Sequence, residues 1–301
     1  MGPVERASGS GRHKIILLGE HAVVHGHPAL GTPLREEIRV EVRRTRAAGI
    51  RVKGLDDPGV AQALGRIALG AGLGEGGLAV EVRSVLPAGA GLGGSAALCV
   101  AFARAALALA GLGEDPGRVH ALAQEGEKVF HGDPSGIDAW LAATDAPAIF
   151  RKGAMPERIE VADEIDLAVI VDETRAATSA MVAMVAARVE ERPGETTAIL
   201  DEIGSLVLEG ADAVRDGRRA DLGRIMARNH ALLGALGVST PALDAICEGA
   251  IRAGALGAKL TGAGGGGAVV ALCRDAASAR RVAAGASPRT ALTTVMRRTV
   301  P

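Results

Sequence analysis

The order of apolar and polar residues along the chain predicts strands that alternate with helices. Short apolar or alternating runs predict strands at 14–18, 37–43, 78–85, 166–171, 268–273 and 290–297. Helical spacing of apolar residues predicts helices over 95–110, 118–130, 178–191, 196–216, 219–235 and 240–253. The first half mixes strands with a few helices, whereas the second half is mostly helical. These patterns predict two domains, 1–165 and 166–301.

Composition and charge narrow the function classes. The 34 Lys and Arg residues nearly balance the 35 Asp and Glu residues, so the formal net charge is −1. No basic excess exists to neutralise nucleic-acid phosphates or to bind an acidic membrane surface. The chain has three Phe, one Trp and no Tyr, whereas proteins that bind single-stranded nucleic acid stack bases on aromatic rings. We therefore expect neither a nucleic-acid partner nor a membrane partner.

The cysteines and the N-terminal segment bear on location. Cys99, Cys247 and Cys273 are far apart and lack metal-ligand spacing, which favours buried free thiols in a reducing compartment. The apolar run Ile15–Leu18 is too short for a signal peptide. The longest uncharged stretch, Val85–Ala103, holds a proline and four glycines in its first half, which favours a loop and a helix over a membrane span. We expect a soluble, cytoplasmic protein.

Glycine makes up 42 of the 301 residues, about twice its usual share of roughly 7%. One glycine-rich segment, Pro87–Ala97 (PAGAGLGGSAA), lies between a predicted strand and an apolar helix. Glycines let a backbone approach a ligand closely, and a helix N-terminus binds phosphate through unpaired N–H groups and its dipole. Ser95 begins that helix, where its hydroxyl is either a plain cap or a Mg²⁺ ligand. The segment fits neither a P-loop nor a Rossmann fingerprint.

Two further segments contain turn-forming glycine or proline residues. Lys259–Cys273 (KLTGAGGGGAVVALC) runs directly into a buried strand, which favours a tight loop near a ligand over a flexible linker. Glu125–Asp138 (EGEKVFHGDPSGID) predicts a helix with carboxylates that ends in a Pro/Gly turn and delivers Asp138. Taken alone, surface acids and a helix cap at Asp138 explain this second segment better.

The N-terminal segment His13–Leu30 (HKIILLGEHAVVHGHPAL) predicts a strand with Glu20 and His21 just past its end. His21 and His25 have the i, i+4 spacing of a zinc helix. The segment lacks the glutamate of such a helix, however, and the glycine and proline that follow would break it. The pattern therefore favours structural histidines over a zinc site.

Together, the four segments resemble the motifs of the GHMP kinase family in their order and spacing. KIILLGEHAVVHG, at 14–26, resembles the first motif in the form carried by the branch that phosphorylates mevalonate. PAGAGLGGSAA resembles the second, ATP-phosphate motif, and HGDPSGIDA, at 131–139, resembles the segment with the catalytic aspartate. KLTGAGGGG, at 259–267, resembles the third motif. Two of the five lysines in the chain, Lys14 and Lys259, fall inside these motifs.

The resemblance implies an α+β, two-domain GHMP kinase fold. Its N-terminal domain would resemble ribosomal protein S5 domain 2 and carry ATP, its C-terminal domain would be ferredoxin-like, and the active site would lie between them. The implied reaction is ATP- and Mg²⁺-dependent phosphorylation of the 5-hydroxyl of mevalonate in isoprenoid biosynthesis. Mevalonate is thus the expected small-molecule partner, and a homodimer is an open alternative for the assembly.

The resemblance also implies a role for each matched residue. Asp138 would accept the proton of the attacking hydroxyl, with Lys14 beside it, and Ser95 and Glu127 would hold Mg²⁺. The ATP phosphates would be bound by Pro87, Gly89, Ala90, Gly91, Leu92, Gly93, Gly94, Ser95 and Ala96. The substrate would be bound by Lys14, Glu20, His21, Asp138, Thr178, Gly262 and Ala263.

The chemistry of these residues agrees with phosphoryl transfer, which depends on positioning and charge stabilisation. Three positions depart from the family pattern: Gly94 replaces a frequent serine, Ala268 replaces a frequent cysteine, and the loop before Thr178 is one residue shorter. Two alternatives stay open, namely a GHMP kinase that acts on phosphomevalonate or a sugar, and a catalytically inactive GHMP-fold binding protein. An inactive protein should have lost its base or its metal ligands, and this chain retains both.

Overall fold

The chain was analysed as a computed structural model that describes residues 5–55, 57–74, 76–86, 91–132, 134–174, 176–287 and 289–299. It divides into two compact units. Unit 1 comprises 1–14, 35–88 and 93–145, and unit 2 comprises 15–34, 89–92 and 146–301. The prediction of two domains is thus confirmed. The boundary predicted near residue 165 stays a prediction, because these units are interleaved in sequence.

Unit 1 combines a sheet with a helical layer. Strands β1 (Arg6–Leu18) and β2 (Ala29–Thr45) pair with each other, and each contributes residues to both units. Strand β3 (Ile50–Lys53) pairs in parallel with β4 (Gly77–Ser84), which pairs antiparallel with residues 38–45 of β2. The helices described in this unit are α1 (Pro58–Gly70), α2 (Gly94–Leu109), α3 (Pro116–His131) and α4 (Ile137–Ala143).

Helix α2 forms the centre of unit 1, because 12 of its 16 side chains are apolar and buried. Phe102 is fully buried, and α1, α3 and α4 pack around the helix. Strand β1 crosses α2 so closely that a Cβ atom on Gly11 would lie 2.1 Å from the carbonyl oxygen of Ala97. Part of the glycine excess therefore serves the packing of a strand on a helix, which the sequence pattern alone does not reveal.

Unit 2 contains strands of the first sheet and a second, four-stranded antiparallel sheet. Strand β5 (Ala148–Phe150) pairs with residues 29–31 of β2 and with β6 (Glu157–Arg158). Strands β7 (Ile165–Val171), β8 (Gly257–Thr261), β9 (Ala268–Leu272) and β10 (Ala291–Met296) form a second sheet in the order β10–β7–β9–β8. The described helices are α5 (Thr178–Glu191), α6 (Pro193–Arg215), α7 (Arg219–Ala235), α8 (Pro241–Arg252) and α9 (Ala276–Gly285), and a short 3-10 helix spans Ala22–His25.

The core of unit 2 lies between this second sheet and the helices that cover it. The buried side chains of Leu260, Val269 and Ala271 from the sheet share one cluster with Leu232 of α7 and Leu243 of α8. No helix in the described part of the chain is both long enough and apolar enough to cross a membrane. All three cysteines are free and buried, as predicted.

The predicted elements agree best where a long apolar pattern defines them. Helices α5 and α7 have the predicted bounds. Strand β1, however, begins at Arg6 rather than at Lys14, because its first half is a polar Gly/Ser segment that pairs through its backbone. Elements α1, β3, β5, β6, β8 and α9 were not predicted.

Candidate active site

Lys14 and Asp138 meet in unit 1. Lys14 lies in β1 and Asp138 lies in the first turn of α4, and the Lys14 Nζ atom is 3.0 Å from Asp138 Oδ2. The Lys14 side chain is only 4% exposed, whereas the Asp138 side chain is 34% exposed. The carboxylate is therefore paired with a buried cation and still accessible to a reactant.

The turn between α3 and α4 places Asp138. The His120 side chain, on α3, contacts the Gly136 carbonyl oxygen at 3.3 Å, and Gly136 caps α4 with a positive φ of 91°. Asp138 is consequently the second residue of α4. This corrects the simpler sequence interpretation, in which Asp138 caps a helix that begins at Ala139.

Ser95 and Glu127 lie together beside this pair. Ser95 is the second residue of α2, whose cap is Gly93, so its hydroxyl is not a cap. Glu127, on α3, is 2% exposed. Burial and the negative charge of Asp138 raise the pKa of Glu127 to about 7, although a hydrogen bond from Ser95 and the charge of Lys14 act to lower it. The Ser95 hydroxyl and the Glu127 carboxylate therefore lie within hydrogen-bond distance of each other.

His131 is a neighbour that the sequence analysis did not assign to the site. Its Nε2 atom lies 3.3 Å from Ser95 Oγ and 3.8 Å from Glu127 Oε2. Burial lowers the pKa of this imidazole, and the charge of Asp138 opposes that shift. The available signal was its place four residues after Glu127 on one helix, which puts both side chains on one face.

The donors fit a magnesium ion that is shared with nucleotide phosphates. Mg²⁺ binds oxygen ligands, commonly one or two carboxylates together with phosphate oxygens and waters. The hydroxyl of Ser95 and the carboxylate of Glu127 supply such oxygens. Among the described residues, no group of three or more His, Cys, Asp or Glu side chains forms a metal site of its own.

The first residues of the second motif lie outside the described part of the chain, and the structure describes the motif from Gly91 onward. Pro87, Gly89 and Ala90 are not described. Gly93 has a φ of 70°, and a Cβ atom there would lie 2.7 Å from Lys14 Cε. Gly93 therefore lies directly against the stem of Lys14. Gly94, Ser95 and Ala96 then form the first turn of α2, whose N–H groups have no helical acceptor.

In unit 2, Glu20 and His21 bond to the segment of the third motif. Lys259 Nζ donates to Glu20 Oε1, and both side chains are buried. Burial lowers the pKa of Lys259, and the Glu20 carboxylate opposes that shift. His21 Nε2 lies 2.8 Å from the Ala263 carbonyl oxygen. The family resemblance implies no role for Lys259, and the substrate-contacting role of Glu20 and His21 stays a prediction.

The second and third motifs also meet within unit 2. A Cβ atom on Gly262 would lie 3.3 Å from the Gly91 carbonyl oxygen, so the two loops are in close contact. Leu92 is buried. Thr178 is exposed at the start of α5, and Met181, one turn along that helix, lies against Gly265. The structure thus brings together the two glycine loops that the sequence analysis had selected.

The chain matches models of one protein family in both halves. The model "GHMP kinases N terminal domain" matches residues 59–145, and "GHMP kinases C terminal" matches residues 211–288. The chain belongs to the GHMP kinase family. This GHMP kinase is 34% identical to the mevalonate kinase of Pyrococcus furiosus over 310 aligned positions, which cover 90% of the chain and 92% of the relative.

Solved structures agree with this membership. The crystal structure of L. major mevalonate kinase in complex with R-mevalonate matches with a TM-score of 0.86 and 26% identity, over 98% of this chain and 97% of that one. A Lactococcus lactis galactokinase complexed with galactose matches with a TM-score of 0.77 at 18% identity, which shows the shared fold. The expected mixed α/β, two-domain GHMP kinase fold is therefore confirmed. The roles of the individual site residues stay predictions.

Proposed function

We propose that this GHMP kinase transfers the terminal phosphoryl group of ATP to the 5-hydroxyl of mevalonate. The observation that carries the proposal is the 3.0 Å pair of buried Lys14 and accessible Asp138, with Ser95 and Glu127 beside it. The mevalonate kinases that align with nine-tenths of the chain support the choice of substrate.

Asp138 acts as the general base. Its partly exposed carboxylate accepts the proton of the attacking hydroxyl as the new bond to phosphorus forms and the bond from phosphorus to the ADP leaving group breaks. Lys14 fixes the position of the carboxylate and provides positive charge where the reacting oxygens gather. Because Lys14 is buried, its charge is poorly screened by solvent and acts strongly on these groups.

The start of α2 binds the ATP phosphates. The N–H groups of Gly94, Ser95 and Ala96 and the positive end of the helix dipole favour a polyanion. The family resemblance also names Pro87, Gly89, Ala90, Gly91, Leu92 and Gly93 of the second motif as phosphate-binding residues. Ser95 and Glu127 would hold Mg²⁺, which neutralises negative charge on the phosphates when it is bound.

For the substrate, the family resemblance names Thr178, Gly262 and Ala263 of unit 2 in addition to Lys14 and Asp138 of unit 1. The cysteines bear on location, because free, buried thiols are typical of a reducing compartment, so we also propose a cytoplasmic enzyme.

A substrate panel tests the proposal. ADP release is measured with mevalonate, phosphomevalonate and galactose, and phosphorus NMR identifies the product. We expect turnover with mevalonate and a phosphomonoester at its 5-oxygen. Turnover with phosphomevalonate or galactose alone would overturn the substrate and keep the family. The absence of turnover with every acceptor would instead favour an inactive GHMP-fold protein.

A further inference from the structure

A buried polar connection in unit 2 ties the turn after β1 to the third motif. We propose that Glu20 and Lys259 form a positioning pair that fixes the glycine loop 262–267, and that Glu20 acts through Lys259 rather than as a ligand of the substrate. The effect on turnover rests on the proposed function, whereas the effect on the loop does not.

The first support is the environment of the pair. The side chains of Lys259 and Glu20 are 0% and 2% exposed, and Lys259 Nζ also donates to its neighbouring carbonyl, Leu260 O, at 2.6 Å. A carboxylate that is buried and bonded to a buried ammonium is not available to a ligand that arrives from solvent. The same bonds fix the end of β8, from which the glycine loop starts.

The second support is a parallel bond from the next residue. His21 Nε2 contacts the Ala263 carbonyl oxygen at 2.8 Å, so adjacent residues of the turn hold both ends of the segment 259–263. His21 has a φ of 61°, a conformation that costs a non-glycine residue about 1–3 kcal/mol and persists only where the surroundings enforce it. The two bonds are those surroundings.

The third support is that residues close to the pair in β1 and β8 are also bound through polar side chains. Thr261 Oγ1 donates to the Ile16 carbonyl oxygen at 2.9 Å and accepts from the Ile16 N–H at 3.0 Å. The Gly19 N–H donates to the Oδ1 atom of Asn229, a fully buried side chain on α7, at 3.3 Å. Polar side chains thus tie Ile16, Glu20 and His21 to residues 259–263, and Gly19 between them is bound to α7.

A role in stability alone explains these contacts less well. A buried ion pair adds little net stability, because the loss of hydration offsets most of the attraction between the charges. Its clearest effect is geometric, since it permits one arrangement of the connected backbones. Here the connected backbone is the loop that meets Gly91 of the phosphate motif.

The test compares Glu20→Gln, the double variant Glu20→Gln/Lys259→Met, and the wild-type enzyme. Lys259→Met alone would leave a buried carboxylate without its cation, which is strongly destabilising, so the double variant is used to keep the protein folded. The control is Glu125→Gln/Lys128→Met, which makes the same substitutions in an exposed pair with Nζ 2.5 Å from Oε1. The readouts are amide hydrogen exchange of residues 262–267, thermal unfolding, and kcat and KM for mevalonate.

We expect the double variant to fold, to exchange the loop amides roughly tenfold faster, and to lose about 10- to 100-fold in kcat with a smaller change in KM. Glu20→Gln can still accept a hydrogen bond from Lys259 but leaves the buried ammonium without a charged partner, so we expect a lower thermal midpoint than in the double variant, with smaller changes in loop exchange and kcat. The exposed control should match the wild type.

Two results would overturn the proposal. One is a double variant with wild-type loop exchange and kcat. The other is an equal rise in the KM for mevalonate in both Glu20 variants with unchanged loop exchange, which would make Glu20 a substrate ligand. If the wild-type enzyme does not phosphorylate mevalonate, the proposed function fails, and the loop exchange alone decides the role of the pair.

Discussion

Lys14 and Asp138 form an asymmetric ion pair, with the ammonium buried and the carboxylate one-third exposed. The asymmetry suits a base that must stay charged and yet meet a hydroxyl. A buried partner cannot rotate away into solvent, whereas an exposed carboxylate can exchange one of its contacts for a substrate. The pair therefore behaves as a fixed cation with an accessible base.

Replacement of Asp138 by Asn should remove catalysis and preserve the fold. Asn is nearly isosteric but cannot accept a proton at neutral pH, and a positioned general base contributes about 10²- to 10⁴-fold to the rate. We expect kcat to fall by that factor with a thermal midpoint close to that of the wild type. ADP release and thermal unfolding measure the two quantities.

The matched control is Asp212→Asn, in an exposed i, i+3 pair with Arg215 on α6. It should leave kcat unchanged. Wild-type activity of Asp138→Asn would remove Asp138 from the mechanism.

Replacement of Gly93 by Ala should displace Lys14. The φ of 70° strains any other residue, and the added Cβ would lie 2.7 Å from Lys14 Cε and 2.9 Å from Lys14 Cγ. We expect the free energy of unfolding to fall by roughly 1–3 kcal/mol and kcat to fall with it, because the ammonium moves relative to Asp138. Chemical denaturation and ADP release measure these changes.

Gly111 provides the control for backbone strain. Its φ is 72°, and an added Cβ would meet nothing within 4 Å. Gly111→Ala should lose stability through strain alone and keep its activity. Equal losses of activity in the two variants would mean that Gly93 does not act through Lys14.

The sequence predicted the motifs better than the contacts between them. Long helices such as α5 were predictable because an apolar pattern repeats along them, and the motif residues Lys14 and Asp138 were predictable through the family resemblance. Helix α9 was missed because it has only ten residues and its buried face consists of the small side chains Ser278, Ala279 and Val282. The partners Glu20 and Lys259 are 239 residues apart, and no local pattern reports such a bond.

Charged residues in strands were the second source of error. Lys259 is fully buried in β8, a place where a lysine is stable only with a partner. The pattern of apolar and polar positions therefore gave no strand there. His131, which lies on a helix, was missed for a different reason. Its proximity to Ser95 depends on how α3 packs against α2.

Replacement of Glu127 by Gln should raise the requirement for Mg²⁺. The amide is neutral and a weaker ligand for a hard cation, and even a lost supporting contact costs about 10- to 100-fold in metal affinity. We expect the Mg²⁺ concentration for half-maximal activity to rise by at least about tenfold, as measured by magnesium titration at saturating ATP. Glu125→Gln, two residues away and half exposed, is the control and should titrate like the wild type. An unchanged midpoint for Glu127→Gln would exclude Glu127 as a ligand.

Replacement of His21 by Gln should reduce the loss of stability at acid pH. Burial lowers the pKa of His21 below its ordinary value of 6.5, so below that pH the unfolded chain binds more protons than the folded one. The stability that neutral His21 contributes is therefore fully present above about pH 6.5, and the free energy of unfolding falls as the pH drops below that value. The glutamine side chain can donate to the Ala263 carbonyl oxygen but does not titrate, so the free energy of unfolding should decline less steeply between about pH 7 and pH 5. The other histidines with lowered pKa values, His25, His131 and His230, titrate in both proteins, so the difference in slope reports His21 together with its electrostatic coupling to His25. Identical slopes in denaturation series at several pH values would show that protonation of His21 does not oppose folding.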